Sequence, residues 1–371
     1  MEQVTIINPP VAFDTRMIRT TGIGGYIRNL LQQYSELHVN NAIMLLAPKG
    51  DQAPGFTNRI CSSGIYGLAE QIEIPLKSRH SKLLHVPHYN APLLFPGKLV
   101  VTIHDLHHLN FYNALPTLFH KLYAKYMMAL VVKRADAIMT DSDYSRDDII
   151  RHWPSARPKI TTVYCGINKN VSPVGRDQLD RTLSRYRITK PYILYVGMLK
   201  SHKNVKRLIA AFEKAQTELN SKYSLVIAGD TKTDQDNIPE WIIREKIGSA
   251  VLLTGYVPAG DLSSLYTGAT AFVFPSLAEG FGLPPLEAMF CGIPVAASNA
   301  TCLPEILGDA PCYFDPYDIA DIAAKLVISC TDGAWRAQAI QEGHRVAARY
   351  DWRQTARGCI EVYQSALGTK L

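Results

Sequence analysis

Twice along the chain, short runs rich in Val, Ile, Leu and Ala alternate with amphipathic stretches of helical period. Apolar runs this short, bounded by Gly, Pro or Asp, are buried strands, and intervening stretches long enough for a crossover helix make those strands parallel. The first series comprises VTIINPP, AIMLLAP, KLLHVPH, LVVTIHDL and ADAIMTDS, with a helix around GYIRNLLQQYSEL that puts Ile27, Leu30, Leu31 and Tyr34 on one face. A polar segment rich in Arg and Asp, residues 172–189, ends it. The second series comprises YILYVGML, YSLVIAGD, AVLLTGY, AFVFPS and PVAAS, separated by helices such as NVKRLIAAFEKAQTEL. The expected fold class is α/β: two Rossmann-like parallel sheets with helices on both faces, divided near 172–189. A length of 371 residues agrees, being too great for one ordinary core.

Composition removes several alternatives. With 47% hydrophobic and 19% charged residues the chain is neither disordered nor fibrous, and no apolar run approaches the roughly 20 residues of a membrane-crossing helix. The opening MEQVTIINPP has no basic leader and no cleavage site, so no export signal is expected. Seven cysteines (Cys61, Cys165, Cys291, Cys302, Cys312, Cys330, Cys359) show neither C-x-x-C pairs nor metal-ligand spacing. They read as reduced, mostly buried thiols of a cytoplasmic protein. Charge is uneven: residues 1–170 hold 18 Lys plus Arg against 12 Asp plus Glu, and the remainder holds 21 of each. A basic first half suits a phosphate-bearing or membrane-surface partner, or is a solvated basic face. It lacks the interleaved aromatic residues of a nucleic-acid binder.

Open parallel sheets bind ligands outside the carboxyl ends of their strands. The most specific strand end is FPSLAEGFGLPPLEA. Gly280 and Gly282 let the backbone approach a ligand with its N–H groups free, and Pro284 and Pro285 suit a first helical turn whose positive end points back at the glycines. That geometry asks for a phosphate. Glu287 is placed in the first turn, where a carboxylate accepts two ribose hydroxyls, and Glu279 faces whatever is joined to the phosphate. A lone Glu in a first turn is also explained by helix electrostatics.

The segments GIGGYIRNLL, VTIHDL, DSDYSRDDI, YVGMLKSHKNVKRLI, LVIAGD, LTGYVPAGDLSSLYTGA, EGFGLPPLEAMFCGIPVAAS and LPEILGDAPCYFDP follow one another in that order. The series resembles retaining glycosyltransferases of the GT-B fold, in glycosyltransferase family 4. The TIHDL, GMLKSHKN and LPEILGDAPCYFDP variants are most similar to bacterial mannosyltransferases of surface-polysaccharide, O-antigen type, assembly.

The resemblance implies roles for particular residues. Glu279 touches the donor sugar, Glu287 binds the ribose, and Gly280, Phe281, Gly282 and Leu283 offer amides to sugar and diphosphate. Lys203 matches the family's cation on the diphosphate. Many members carry Arg near position 198, where this chain has Met198, with Lys200 or His202 as possible substitutes. Tyr256 and Val257 read the base through their backbone, with Leu262 packing near it or serving as plain core. Gly24 and Gly25 resemble the glycine loop near the diphosphate, although a tight turn explains them too. His104 matches a histidine beside the reacting sugar, and Asp105 holds the loop or that histidine.

His107 and His108 extend the run to HDLHH, which no remote acid or cysteine cluster completes as a metal site. In DSD, Ser142 and Ser145 read as helix caps and the acids as first-turn charge rather than metal ligands. GIGGYIRNL lacks the third glycine of a dinucleotide fingerprint.

The implied architecture is an acceptor-binding domain over 1–172, a donor-binding domain over 173–350, and a terminal helix over 351–371 that crosses back, anchored by Trp352 and Tyr363. The implied activity is transfer of a hexose with retained α configuration, mannose from GDP-mannose, to a hydroxyl of a lipid-linked oligosaccharide or polysaccharide. No metal or other cofactor is required. A UDP-hexose transferase and a non-catalytic sugar-nucleotide binder are the alternatives. The stretch LFHKLYAKYMMALVVKRADA, with Lys121, Lys125, Lys133 and Arg134, reads equally as a contact with the inner membrane face or as a core helix with solvated lysines.

Overall fold

The computed structural model describes residues 10–106, 109 and 118–371. Two compact units divide the chain: unit 1 takes the residues up to Gly166 together with Asp351–Leu371, and unit 2 takes Ile167–Tyr350.

Unit 1 is built on a seven-stranded sheet in the order β3-β2-β1-β4-β5-β6-β7. Its strands are β1 Val11–Asp14, β2 Ile43–Ala47, β3 Thr57–Ile60, β4 Leu83–Val86, β5 Lys98–Thr102, β6 Ala137–Thr140 and β7 Ile160–Thr162, all paired in parallel. The helices are α1 Gly22–Glu36, α2 Glu70–Ser78, α3 Leu118–Arg134 and α4 Asp143–His152. The face of α1 expected from its period is the buried one, with Ile27, Leu30, Leu31 and Tyr34 joined by Tyr26. Each such side chain contributes about 1.5–3 kcal/mol on burial. Helix α3 buries Ala124, Met127, Met128, Val131 and Val132.

Unit 2 has a six-stranded sheet in the order β10-β9-β8-β11-β12-β13, again all parallel. Its strands are β8 Tyr192–Val196, β9 Ser224–Ala228, β10 Val251–Gly255, β11 Ala271–Phe274, β12 Val295–Ser298 and β13 Cys312–Phe314. Its helices are α5 Arg176–Arg185, α6 Val205–Ala215, α7 Ile238–Glu245, α8 Ala259–Gly268, α9 Leu283–Phe290, α10 Leu303–Leu307, α11 Ile319–Thr331 and α12 Gly333–Ala347. Helices α6 and α11 pack on each other and share a core of Leu208, Phe212, Ile322 and Leu326 with the strands.

The chain then returns to unit 1 as α13 Trp352–Leu367, which lies against α1, β4, β5 and β6. Tyr363 fastens it. Its hydroxyl meets His85 Nδ1 at 2.6 Å and the Tyr34 hydroxyl at 2.9 Å, while His85 Nε2 meets Thr102 Oγ1 at 2.8 Å. The His85 ring stacks on Phe13 at 4.9 Å, and burial pushes its pKa down to about 3. At Gly166 an added Cβ would come within 2.1 Å of the Trp352 backbone nitrogen, so only glycine admits the helix start.

Several elements differ from expectation. VTIINPP falls outside the described residues except at Pro10, and the first described strand is β1, VAFD. The edge strands β3, β7 and β13, of three or four residues, carry too little apolar pattern to be read. The units change at Gly166–Ile167 rather than within 172–189. The Arg- and Asp-rich segment there includes α5, which buries Leu179, Thr182 and Leu183 and turns its charges outward. All seven cysteines are free and buried.

Candidate functional site

In unit 2 the chain runs from β8 outward to β10 and resumes beside β8 with β11. The crevice at such a reversal of strand order is where open α/β sheets bind ligands. After β8, a short turn over Ser201–Lys203 delivers Lys203, and after β11 the loop delivers Glu279. The Lys203 ammonium lies 2.5 Å from Glu279 Oε1, with the side chains only 11% and 12% exposed, and 5.6 Å above the Phe274 ring. An ammonium has three donors, so this ion pair leaves others for an oxyanion.

Asn204 fixes the two loops together. It is buried, left-handed at φ 62°, and its amide donates to Pro275 O at 3.1 Å and Pro316 O at 2.7 Å. The Glu279 N–H donates to Thr301 Oγ1 at 3.1 Å, and the Cys302 thiol to Glu279 O at 3.2 Å. Sequence reasoning passed over Asn204, Thr301 and Cys302. They bind the backbone of the loops around them, and only the odd placement of an Asn before a helix marks them.

Gly282 caps α9 at φ 98°, a conformation that side chains resist. No acceptor among the described residues takes the N–H groups of Gly280, Phe281 or Gly282. They stand with the positive end of α9 in one loop, a ready anion site. Leu283, Pro284 and Pro285 make up the first turn, so Glu287 belongs to the second turn and not, as expected, to the first. Dipole electrostatics therefore does not account for it. Tyr266 of α8 does: its hydroxyl donates to Glu287 Oε2 at 3.1 Å. Burial pushes the Glu287 carboxyl up to about 7, with that hydrogen bond opposing.

Tyr256, Val257 and Leu262 follow β10, two strands from β8. Gly255 is left-handed at φ 71°, at a break in the β9–β10 register. Tyr256 is exposed, Val257 buried and Leu262 intermediate.

In unit 1 Gly24 and Gly25 are the third and fourth residues of α1, not a loop before it. Their N–H groups are taken by Thr20 Oγ1 and Thr21 O, each at 3.0 Å. A Cβ at Gly24 would meet Ile18 O at 2.5 Å, whereas at Gly25 it would find nothing nearer than 3.9 Å. His104 follows β5. Its Nδ1 lies 2.6 Å from Asp141 Oδ2 and its Nε2 3.1 Å from Pro87 O. Burial works against the ring's positive charge, but the Asp141 carboxylate and the facing acceptors outweigh it and raise the pKa above the ordinary value. Asp141 is thus the partner of His104, correcting its reading as first-turn charge. Ser142 is the cap, accepting from Ser145 N at 3.1 Å. Ser145 instead donates to His104 O at 3.1 Å. His107 and His108 lie outside the described residues. Among the described residues no group of three or more His, Cys, Asp or Glu is arranged to hold a metal.

The reversal of strand order in unit 1 falls between β1 and β4. A buried network occupies it: Arg16 pairs with Asp14 at 2.6 Å and Glu70 at 3.0 Å. Asn90 donates to Glu70 and accepts from the Tyr123 hydroxyl at 2.6 Å.

Comparison with known proteins follows the same division. The family "Glycosyltransferase Family 4" matches residues 20–171 and "Glycosyl transferases group 1" matches residues 181–346. O-antigen chain mannosyltransferase B of Escherichia coli is 32% identical over 281 residues, 74% of each chain. The serotype-specific mannosyltransferase WbdA of Escherichia coli is 31% identical over 242 residues, 63% of this chain and 29% of that larger protein. Sucrose-phosphate synthase from Thermosynechococcus elongatus has the same fold, with a TM-score of 0.77 at 20% identity over 97% of this chain and 100% of that one. The chain belongs to the group 1 and family 4 glycosyltransferases and has their GT-B fold.

Proposed function

We propose that this glycosyltransferase moves an α-mannosyl group from GDP-mannose, with retention, to a hydroxyl of a lipid-linked oligosaccharide or polysaccharide. The observation that carries the reading is the Lys203–Glu279 pair beside the unengaged amides of Gly280–Gly282. A departing nucleoside diphosphate develops negative charge, and a cation, three amides and a helix N-terminus await it in one place. Each such preorganised donor commonly supplies about 10² to 10³ in rate. Glu279 holds Lys203 and accepts hydroxyls of the sugar, Glu287 accepts those of the ribose, and the leaving phosphate oxygen takes the acceptor's proton as the new glycosidic bond forms on the same face. To the same reaction we assign His104, with its Asp141 partner, as a sugar contact and Gly24 and Gly25 as diphosphate contacts. No metal enters.

Mannose as the sugar is supported by the mannosyltransferase relatives. A lipid-linked acceptor is supported by the surface of α3, where Leu122, Tyr126 and Leu130 are exposed at 45%, 65% and 49% and flanked by exposed Lys125 and Lys133. That stripe combines apolar and basic side chains as peripheral membrane surfaces do. No helix among the described residues is long and apolar enough to cross a membrane.

Calorimetric titration with GDP and UDP at equal salt tests the donor. GDP is expected to bind at least tenfold more tightly, about 1.4 kcal/mol, and a preference for UDP would overturn the mannosyl reading. With GDP-mannose and a mannose-terminated acceptor in EDTA, the product is expected to be the α anomer. Glu279→Gln is expected to lower turnover by about 10² or more with an unchanged circular dichroism spectrum; full turnover in that variant would remove Glu279 from the chemistry.

A further inference from the structure

Unit 2 carries a cleft of about 450 Å³ on the side away from its donor loops. Helix α10 starts at Leu303, next to Thr301 and Cys302, which hold Glu279. The cleft lies past its other end, at Asp309 and Ala310, just before β13. It is therefore at the amino end of that strand, whereas Lys203 and Glu279 follow the carboxyl ends of β8 and β11.

The other wall is α12. This helix buries small residues, Ala339, Gly343 and Ala347, and sits close on α9: a Cβ at Gly343 would come within 3.1 Å of Met289 Cγ. That seat fixes the adjoining row of Trp335, Gln338, Glu342 and Arg345, which with Gln341 lines the cleft. From Trp335 to Arg345 the row runs about 15 Å.

Charge and hydrogen bonding select the ligand. Arg345 is engaged by Glu342 at 3.1 Å, and Asp309 adds a second carboxylate, so an anion finds no free cation in this lining. Among the described residues no group of three or more His, Cys, Asp or Glu is arranged to hold a metal. The Gln338 and Gln341 amides have no hydrogen-bond partner among the described residues. Each amide both donates and accepts, which matches a hydroxyl, itself donor and acceptor. Trp335 heads the row, half-buried, its backbone N–H held by Asp332 Oδ1 at 3.0 Å. A broad apolar ring with one polar N–H suits the C–H face of a pyranose. The volume falls within the range of small-molecule sites, about 300–1,000 Å³, and a row longer than one sugar ring favours a chain.

We propose that the cleft between the end of α10 and α12 is a second saccharide site, which takes an uncharged stretch of the transferase's own glycan chain and holds it between transfers. Retention of the chain rests on the transferase reading above; recognition of saccharide rests on the lining alone.

The chain has four tryptophans, so the indole N–H signal of Trp335 is assigned by the single variant Trp335→Phe. In wild type saturated with GDP, an α-linked mannotetraose is expected to move that NMR signal saturably, with half the change at about 1 mM, and to do so equally in Glu279→Gln. Inorganic phosphate is expected to leave it in place. A signal unmoved at about 10 mM mannotetraose, or one moved by phosphate or maltotetraose but not by mannotetraose, overturns the proposal. Retention is read from acceptor length. Gln338→Ala combined with Gln341→Ala, at exposed helical positions that alanine suits, is expected to raise the acceptor KM about fivefold for a long mannan, with kcat, donor KM and the KM for mannobiose unchanged. A long-chain KM within about twofold of wild type overturns retention. Absence of transfer from any donor in wild type would defeat the transferase reading, whereas the tryptophan signal would still decide the cleft.

Discussion

Gly25→Ala separates what the fold needs from what a ligand needs. Gly25 is the fourth residue of α1, its N–H already bonded to Thr21 O at 3.0 Å, and an added Cβ would meet only Arg28 Nη2 at 3.9 Å. An alanine in such a helical position is worth about 0.5–1 kcal/mol over glycine. At about 2–4 °C per kcal/mol for a unit of this size, the unfolding of unit 1 should move up by about 1–4 °C. Gly24 gives the contrast, since its Cβ would lie 2.5 Å from a backbone oxygen and Gly24→Ala must displace the Met17–Ile18 turn. If Gly25 serves close approach of the nucleotide, Gly25→Ala is expected to raise the melting temperature while the donor KM rises by about tenfold, a loss of about 1.4 kcal/mol. Thermal unfolding and steady-state kinetics on one preparation provide both numbers. A stabler variant with an unchanged donor KM would refute the ligand role, and a less stable one would refute the spacing argument itself.

Glu287 should make stability and affinity respond to pH in opposite senses. Its carboxyl keeps a proton up to about pH 7 in the folded chain against an ordinary 4.5. Between those values the folded state binds the extra proton, so stability falls as pH rises through that window and levels above it. Ribose hydroxyls donate to the ionised form, so GDP affinity is expected to rise from about pH 6 to about pH 8; calorimetry showing the same slope in Glu287→Gln would exclude Glu287 as its source. Tyr363→Phe removes the hydroxyl shared by His85 and Tyr34, and two buried groups short of a partner should cost about 2–4 kcal/mol in urea unfolding. A loss below about 0.5 kcal/mol would show that packing alone holds α13.

Central elements were legible because their chemistry repeats: fully buried strands such as Tyr192–Val196 are apolar runs, and α1 shows its buried face in its period. Edge strands such as Thr57–Ile60 were not, since one side of each is solvated and its residues read as loop. Glu279, Lys203 and the glycines of the 280–282 loop stood out in the sequence because they are unusual for their local structure, and the fold brings Lys203 and Glu279 together. Asp141, Tyr266 and Asn204 were missed because each acts on a group distant in sequence: His104 lies 37 residues from Asp141, Glu287 21 from Tyr266, and Pro316 112 from Asn204. Spacing along the chain carries no trace of such a pairing. Gly24 and Gly25 were expected as a loop before the helix, whose legible stretch starts at Gly25, but α1 begins three residues earlier, at Gly22.

Unit 2 begins and ends at neighbouring points, with the Ile167 N–H donating to Tyr350 O at 3.4 Å, and it interrupts unit 1 between β7 and α13. Synthesis therefore delivers the first sheet long before the helix that covers it. At ordinary ribosomal speed of about 5–20 residues per second, about 10–40 s pass between the emergence of β7 and that of Tyr363. Throughout that interval Phe13, His85 and the inner face of α1 stand uncovered on the nascent chain, while unit 2 has every residue it needs to fold ahead of the unit that precedes it. The order of maturation runs from the inserted unit to the unit around it, and the face that α13 covers on α1, β4, β5 and β6 is closed only once that helix has emerged.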